Sequence, residues 1–81
     1  MKFKPDIEFG NRLRELRKAS GLSQEKLCVR LQNEEEDISR SLYSKFETAE
    51  RNIPISVIRT LKRIYGCEFN DFFIKDPTDT K

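Results

Sequence analysis

Apolar residues in this chain return every three or four positions, in short runs broken at intervals by glycine and proline. That spacing builds one-sided helices, and it nowhere gives way to the strict alternation of a half-buried strand. The breakers are Pro5, Gly10, Gly21, Pro54, Gly66 and Pro77. Between Gly10 and Gly21, "NRLRELRKAS" is strongly helical. Phe9, Leu13 and Leu16 lie on its stripe, and Gly21 stands where a helix stop favours glycine.

"LSQEKLCVRLQ" predicts a second helix, with Ser23 as N-cap, Gln24 and Glu25 in the first turn, and Leu27, Cys28 and Leu31 facing inward. Ser39 is placed to cap "RSLYSKFETAE", whose apolar side is Leu42, Tyr43 and Phe46. In "NIPISVIRTLKRIYG", Pro54 suits a first turn, Ile55, Ile58, Leu61 and Tyr65 form a stripe, and Gly66 stops the helix. Asn70 then caps a last short turn, "DFFIK". The expectation is an all-α domain of five short helices over residues 8–74, with an N-terminal arm at 1–7 and a polar tail at 75–81. At 81 residues the chain is one domain, and so small a core leaves a thin margin of stability.

Composition narrows the function classes. There is no histidine, and Cys28 and Cys67 are far apart with no CxxC pair, so no zinc set is expected and both read as small buried hydrophobes. No cofactor is expected either. The absence of histidine, of a glycine-rich phosphate loop and of a carboxylate pair in an evident pocket argues against an enzyme. "MKFKPDIEFGNR" has no apolar leader core and no run is long enough to span a bilayer, which favours a cytoplasmic protein without a membrane partner. Net charge is only +2, but it is unevenly spread. Residues 1–32 hold eight Lys/Arg against four acids, and residues 51–65 hold Arg51, Arg59, Lys62 and Arg63 without an acid. Between these basic segments stand Glu34, Glu35, Glu36 and Asp37. Such a distribution permits contact with nucleic acid.

Two helices joined by a turn, the second opening on short polar and cationic side chains, can read the major groove of DNA. Arg40, Ser41, Ser44 and Lys45 are side chains of that kind. With "NRLRELRKASGLSQEKL", "ISRSLYSKFETAERNIP" and "LKRIYGCEFNDFF", the chain resembles the Cro/lambda-repressor (XRE) helix-turn-helix family. The likeness covers roughly residues 8 to 74. It implies a five-helix DNA-binding regulator, most often a repressor, that binds operator DNA. By resemblance, Arg40, Ser41 and Lys45 fall at base-contacting positions, with Ser44 between them on a neighbouring face. Gln24, Thr48, Arg51 and Asn52 fall at phosphate-contacting positions, and Arg17 and Glu47 at a structural ion pair. Taken without the resemblance, Arg40 and Lys45 read equally as solvent-facing cations, and the two serines as caps or fillers.

The chain departs from that pattern in its turn. About five extra residues, "QNEEE" or "NEEED", follow Leu31; Asp37 replaces the usual turn glycine, Ala49 a second glycine, and Glu50 stands where a base is common. An insertion at the far end of the second helix leads away from DNA, so the acids are compatible with a reader beside them. They read as a solvated turn, as a protein-partner site, or as a brake on non-specific DNA binding. Leu42 either touches a thymine methyl or packs under this turn, the second being favoured.

Phe69, Phe72, Phe73 and Ile74 are more apolar than one terminal turn requires. The surplus suggests a homodimer contact, unless Phe3 and Ile7 fold back over the rings. The competing function is a protein-interaction module, such as an antitoxin or phage-control partner, using the acidic turn or these aromatics.

Overall fold

The computed structural model describes residues 7–73. The arm before Ile7, Phe3, Ile74 and the polar tail lie outside the described residues. Within them run α1 (Ile7–Ala19), α2 (Gln24–Asn33), α3 (Arg40–Glu47) and α4 (Ile55–Tyr65), then a 3-10 helix at Phe69–Phe72. No strand occurs among the described residues. The all-α expectation therefore holds, with a correction to the count. The fifth helix is a single 3-10 turn, capped by Glu68 rather than Asn70, since Glu68 and Asp71 form a reciprocal capping box.

The inner α-helices start where their serines predict. Ser23 Oγ accepts from the Lys26 amide at 3.1 Å and Ser39 Oγ from the Leu42 amide at 3.1 Å. Each bond satisfies one of the donors that a helix start leaves open. The stops follow backbone conformation more than residue type. Gly21 and Gly66 are left-handed, and so are Glu35 (φ 67°) and Ala49 (φ 66°). Past α2, the Glu36 amide returns to the Leu31 carbonyl and the Glu35 amide to that of Gln32. Past α3, the Glu50 amide returns to Lys45 and the Ala49 amide to Phe46. Both are the paired bonds of a left-handed helix stop. The inserted turn thus places its left-handed residue at Glu35 and not at Asp37, which stands in place of the family's turn glycine.

Gly10 is not a breaker. It sits buried inside α1, where a Cβ would collide with the Glu47 carbonyl oxygen and lie 3.2 Å from that of Phe46. Glycine there lets the end of α3 close onto α1. The core is built from Phe9, Leu13, Leu27, Cys28, Leu31, Ile38, Tyr43, Phe46, Ile53, Val57, Ile58, Leu61 and Phe72, with Leu42 and Cys67 partly buried against it. On α4 the buried face is Val57, Ile58 and Leu61, while Ile55 is 59% exposed. The buried face centres on Val57, Thr60 and Leu61, which turns Ile55 outward from the stripe expected of it, and Pro54 is the N-cap rather than a first-turn residue. The 3-10 helix closes the end of α1 through stacking of Phe73 on Phe9 at 5.3 Å and an Arg12 bond to the Asp71 carbonyl.

Candidate nucleic-acid interface

One side of α3 is committed to the core, and this decides what the other side presents. Tyr43, Phe46 and Glu47 are buried, whereas Arg40, Ser41 and Lys45 are exposed and Ser44 is half-exposed. With only eight residues, α3 depends on its cap and on α1 for a fixed direction.

A buried polar cluster supplies a second tether. Arg17 Nε donates to Glu47 Oε2 at 2.7 Å and its Nη2 to Oε1 at 3.2 Å, a bidentate pair joining α1 to the end of α3. Arg17 also donates to the Leu22 carbonyl at 3.0 Å, and Gln24 Nε2 donates to Glu47 Oε1 at 3.0 Å. The Glu47 hydrogen bond raises the Arg17 guanidinium above its ordinary value against the opposing effect of burial. Burial alone would raise the Glu47 carboxyl, but the bonds from Arg17 and Gln24 outweigh it and hold it low. A carboxylate can face only the NH2 side of the Gln24 amide. The Gln24 oxygen is therefore not spent on Glu47 and stays available as an acceptor.

Gln24, Arg40, Ser41, Ser44, Lys45 and Glu50 line one shallow concavity. The structure thus gathers the four expected base-contacting residues with the expected phosphate-contacting Gln24. Thr48, Arg51 and Asn52 are exposed on the segment just past α3. Thr48 differs from Arg51 and Asn52 in being engaged. Its hydroxyl lies 3.0 Å from Glu50 Oε2 and 3.3 Å from the Lys45 carbonyl, so its one proton is taken up locally. Glu50 is the residue that sequence reasoning left out of the site. The signal was present as an acid where a base is common. Its placement required knowing that left-handed Ala49 folds residue 50 back beside Lys45.

The acidic turn lies against α4. Glu34 Oε1 accepts from Arg63 Nη2 at 2.8 Å and Glu36 Oε2 from the Thr60 hydroxyl at 3.1 Å, while Ile38 enters the core. Glu35 and Asp37 remain exposed. The aromatic end divides. Phe72 is fully buried, a correction to its place in a surface cluster, because the 3-10 turn points it into the core. Phe69 and Phe73 stay 42% and 52% exposed, Lys62 Nζ sits 5.5 Å from the Phe69 ring centre, and Ile7 is itself 70% exposed. Among the described residues, no three His, Cys, Asp or Glu are grouped to hold a metal, and no helix is long and apolar enough to cross a membrane.

Residues 8–69 match the helix-turn-helix domain family. Among solved structures the chain is similar to the restriction-modification controller protein C.AhdI from Aeromonas hydrophila. The two are 36% identical over 83% of this chain and 94% of that one, with a TM-score of 0.71. No curated protein sequence matches it.

Proposed function

The chain belongs to the helix-turn-helix domain family and is a DNA-binding transcription regulator, and from that premise we propose a sequence-specific, cytoplasmic repressor that reads the major groove with α3. In this reading Arg40, Ser41, Ser44 and Lys45 meet base edges, while Gln24, Arg51 and Asn52, with the first-turn amides of α2, hold phosphates. The observation that carries it is the shared concavity of Gln24 with Arg40, Ser41, Ser44 and Lys45 of α3. Short hydroxyls and long cations suit major-groove edges, where guanine offers two acceptors to a cation and hydroxyls bond donors or acceptors alike.

The likeness to a restriction-modification controller supports a small regulator of the controller type. Phe69 and Phe73, exposed at one end of the domain, are the surface proposed for pairing with a second copy, so that two α3 helices reach half-sites about one helical turn apart. In the partner-module alternative the acidic turn would present Glu35 and Asp37, since Glu34 is paired with Arg63 and Glu36 accepts from Thr60.

The test is charge reversal on α3. Arg40→Glu and Lys45→Glu are exposed substitutions and should leave thermal melting within about 0.5 kcal/mol of wild type. Each should abolish sequence-specific retention of duplex DNA. Unchanged retention by both would sink the assignment.

A further inference from the structure

We propose that Glu50 is a specificity-determining residue that accepts a hydrogen bond from the exocyclic amino group of a cytosine in the major groove. The inference rests on the reading of α3 as the recognition helix and extends it to a residue outside the helix. Glu50 lines the same concavity as Arg40, Ser41, Ser44 and Lys45 and carries the acid of that surface. It gets there because α3 stops in the left-handed conformation at Ala49 and the Glu50 amide returns to the Lys45 carbonyl at 2.9 Å.

A carboxylate facing a polyanion has few acceptable partners. Phosphate repels it, and among the described residues no cation forms an ion pair with it. Its partner is the Thr48 hydroxyl, 3.0 Å from Oε2. That bond engages one oxygen and leaves Oε1 of this exposed side chain as an unused acceptor. On the major-groove edges, guanine and thymine present only acceptors at hydrogen-bonding positions and would repel this oxygen. Adenine presents an amino donor but sets the N7 acceptor beside it. Cytosine's amino donor has an acceptor on one side only, the O6 of its paired guanine, whereas adenine's stands between its own N7 and the O4 of its paired thymine, so cytosine meets a carboxylate with the least opposing charge.

Glu50 therefore discriminates in two ways. It penalises duplexes that set phosphate or acceptor edges before it, and it recovers the loss only where cytosine stands. The cations and hydroxyls of α3 read their own base positions, and the acid adds a condition at one further base.

Wild type and Glu50→Gln are each allowed to select from a random duplex pool. Each is then titrated at one salt concentration against the wild-type site carrying all four base pairs at every position. Wild type should show a position where cytosine is preferred by roughly tenfold or more, the range of one good base contact. A glutamine amide pairs bidentately with adenine, so Glu50→Gln should lose that preference or turn it to adenine there, with other positions unchanged. Glu50→Ala should lose it without gaining adenine. Thermal melting of the variants, at an exposed position, should match wild type. A site in which no cytosine preference depends on Glu50, or in which both variants raise affinity by the same factor for every sequence, overturns the proposal while leaving α3 as reader. A wild-type pool without any enriched motif overturns both.

Discussion

Gly10→Ala sets local helix preference against tertiary packing, and the two predict opposite signs. Gly10 lies inside α1, where alanine is intrinsically better than glycine by about 1 kcal/mol. The added methyl, however, would collide with the Glu47 carbonyl oxygen, approach the Glu47 carbonyl carbon to 2.9 Å and the Phe46 oxygen to 3.2 Å. These are backbone atoms at the end of α3 and cannot swing aside as a side chain would. Forced overpacking of this kind costs roughly 1–3 kcal/mol, sometimes more. Moving Glu47 also disturbs its carboxylate, held by Arg17 at 2.7 Å and Gln24 at 3.0 Å. The cost should exceed the helix gain, for a net loss of about 1–2 kcal/mol and a melting point lowered by roughly 5–15 °C in a domain this small. Urea and thermal unfolding at fixed protein concentration measure it, with exposed Asn11→Ala as the helix-propensity control. Stability equal to or above wild type would refute the argument that glycine is there for the approach of α3.

Further outcomes follow from the same contacts. Glu47→Gln should cost about 3 kcal/mol by leaving the Arg17 charge poorly compensated in its buried site, read by denaturant unfolding. Because the native Glu47 carboxyl is held low, the pair stabilises fully above the ordinary carboxyl value of about 4.3 and is lost as pH falls through the lower native value. The variant should therefore show a flatter acid limb in stability against pH. Ala49→Gly and Glu35→Gly should each stabilise by a few tenths to about 1 kcal/mol, since both positions are left-handed; a loss at either would contradict that geometry. Ser39→Ala should cost about 1 kcal/mol and also weaken DNA binding, because it frees the turn that carries Arg40 and Ser41; titration with a selected duplex reads the second effect.

Where one residue type has one local job, its position could be seen in the chain. Ser23 and Ser39 cap the helices that they precede, and Gly21 and Gly66 end theirs. The same holds for much of the candidate site, since Arg40, Ser41, Ser44 and Lys45 follow a cap on the side opposite Tyr43 and Phe46. What could not be seen depends on a second element. Gly10 looks like a helix boundary until α3 is laid against it. Ile55 falls on an apolar stripe until the core is seen to take Val57 and Thr60 from α4, which leaves Ile55 in solvent. Two of the four acids after α2, Glu34 and Glu36, show their partners only once α4 supplies Arg63 and Thr60, while Glu35 and Asp37 stay exposed as a solvated turn would have them. Phe72 separates from Phe69 and Phe73 only once the 3-10 turn assigns each ring a direction. Glu50 shows the same limit within the site, because its approach to Lys45 depends on the left-handed backbone at Ala49.

The central claim is that α3 reads base sequence in duplex DNA, and the most direct measurement is selection by the wild-type protein from a random duplex pool at two salt concentrations. The account predicts an enriched motif at both, with two-fold-related half-sites if two copies bind together, and retention that falls as salt rises because cations neutralise phosphates. A pool without base preference at either salt would contradict it.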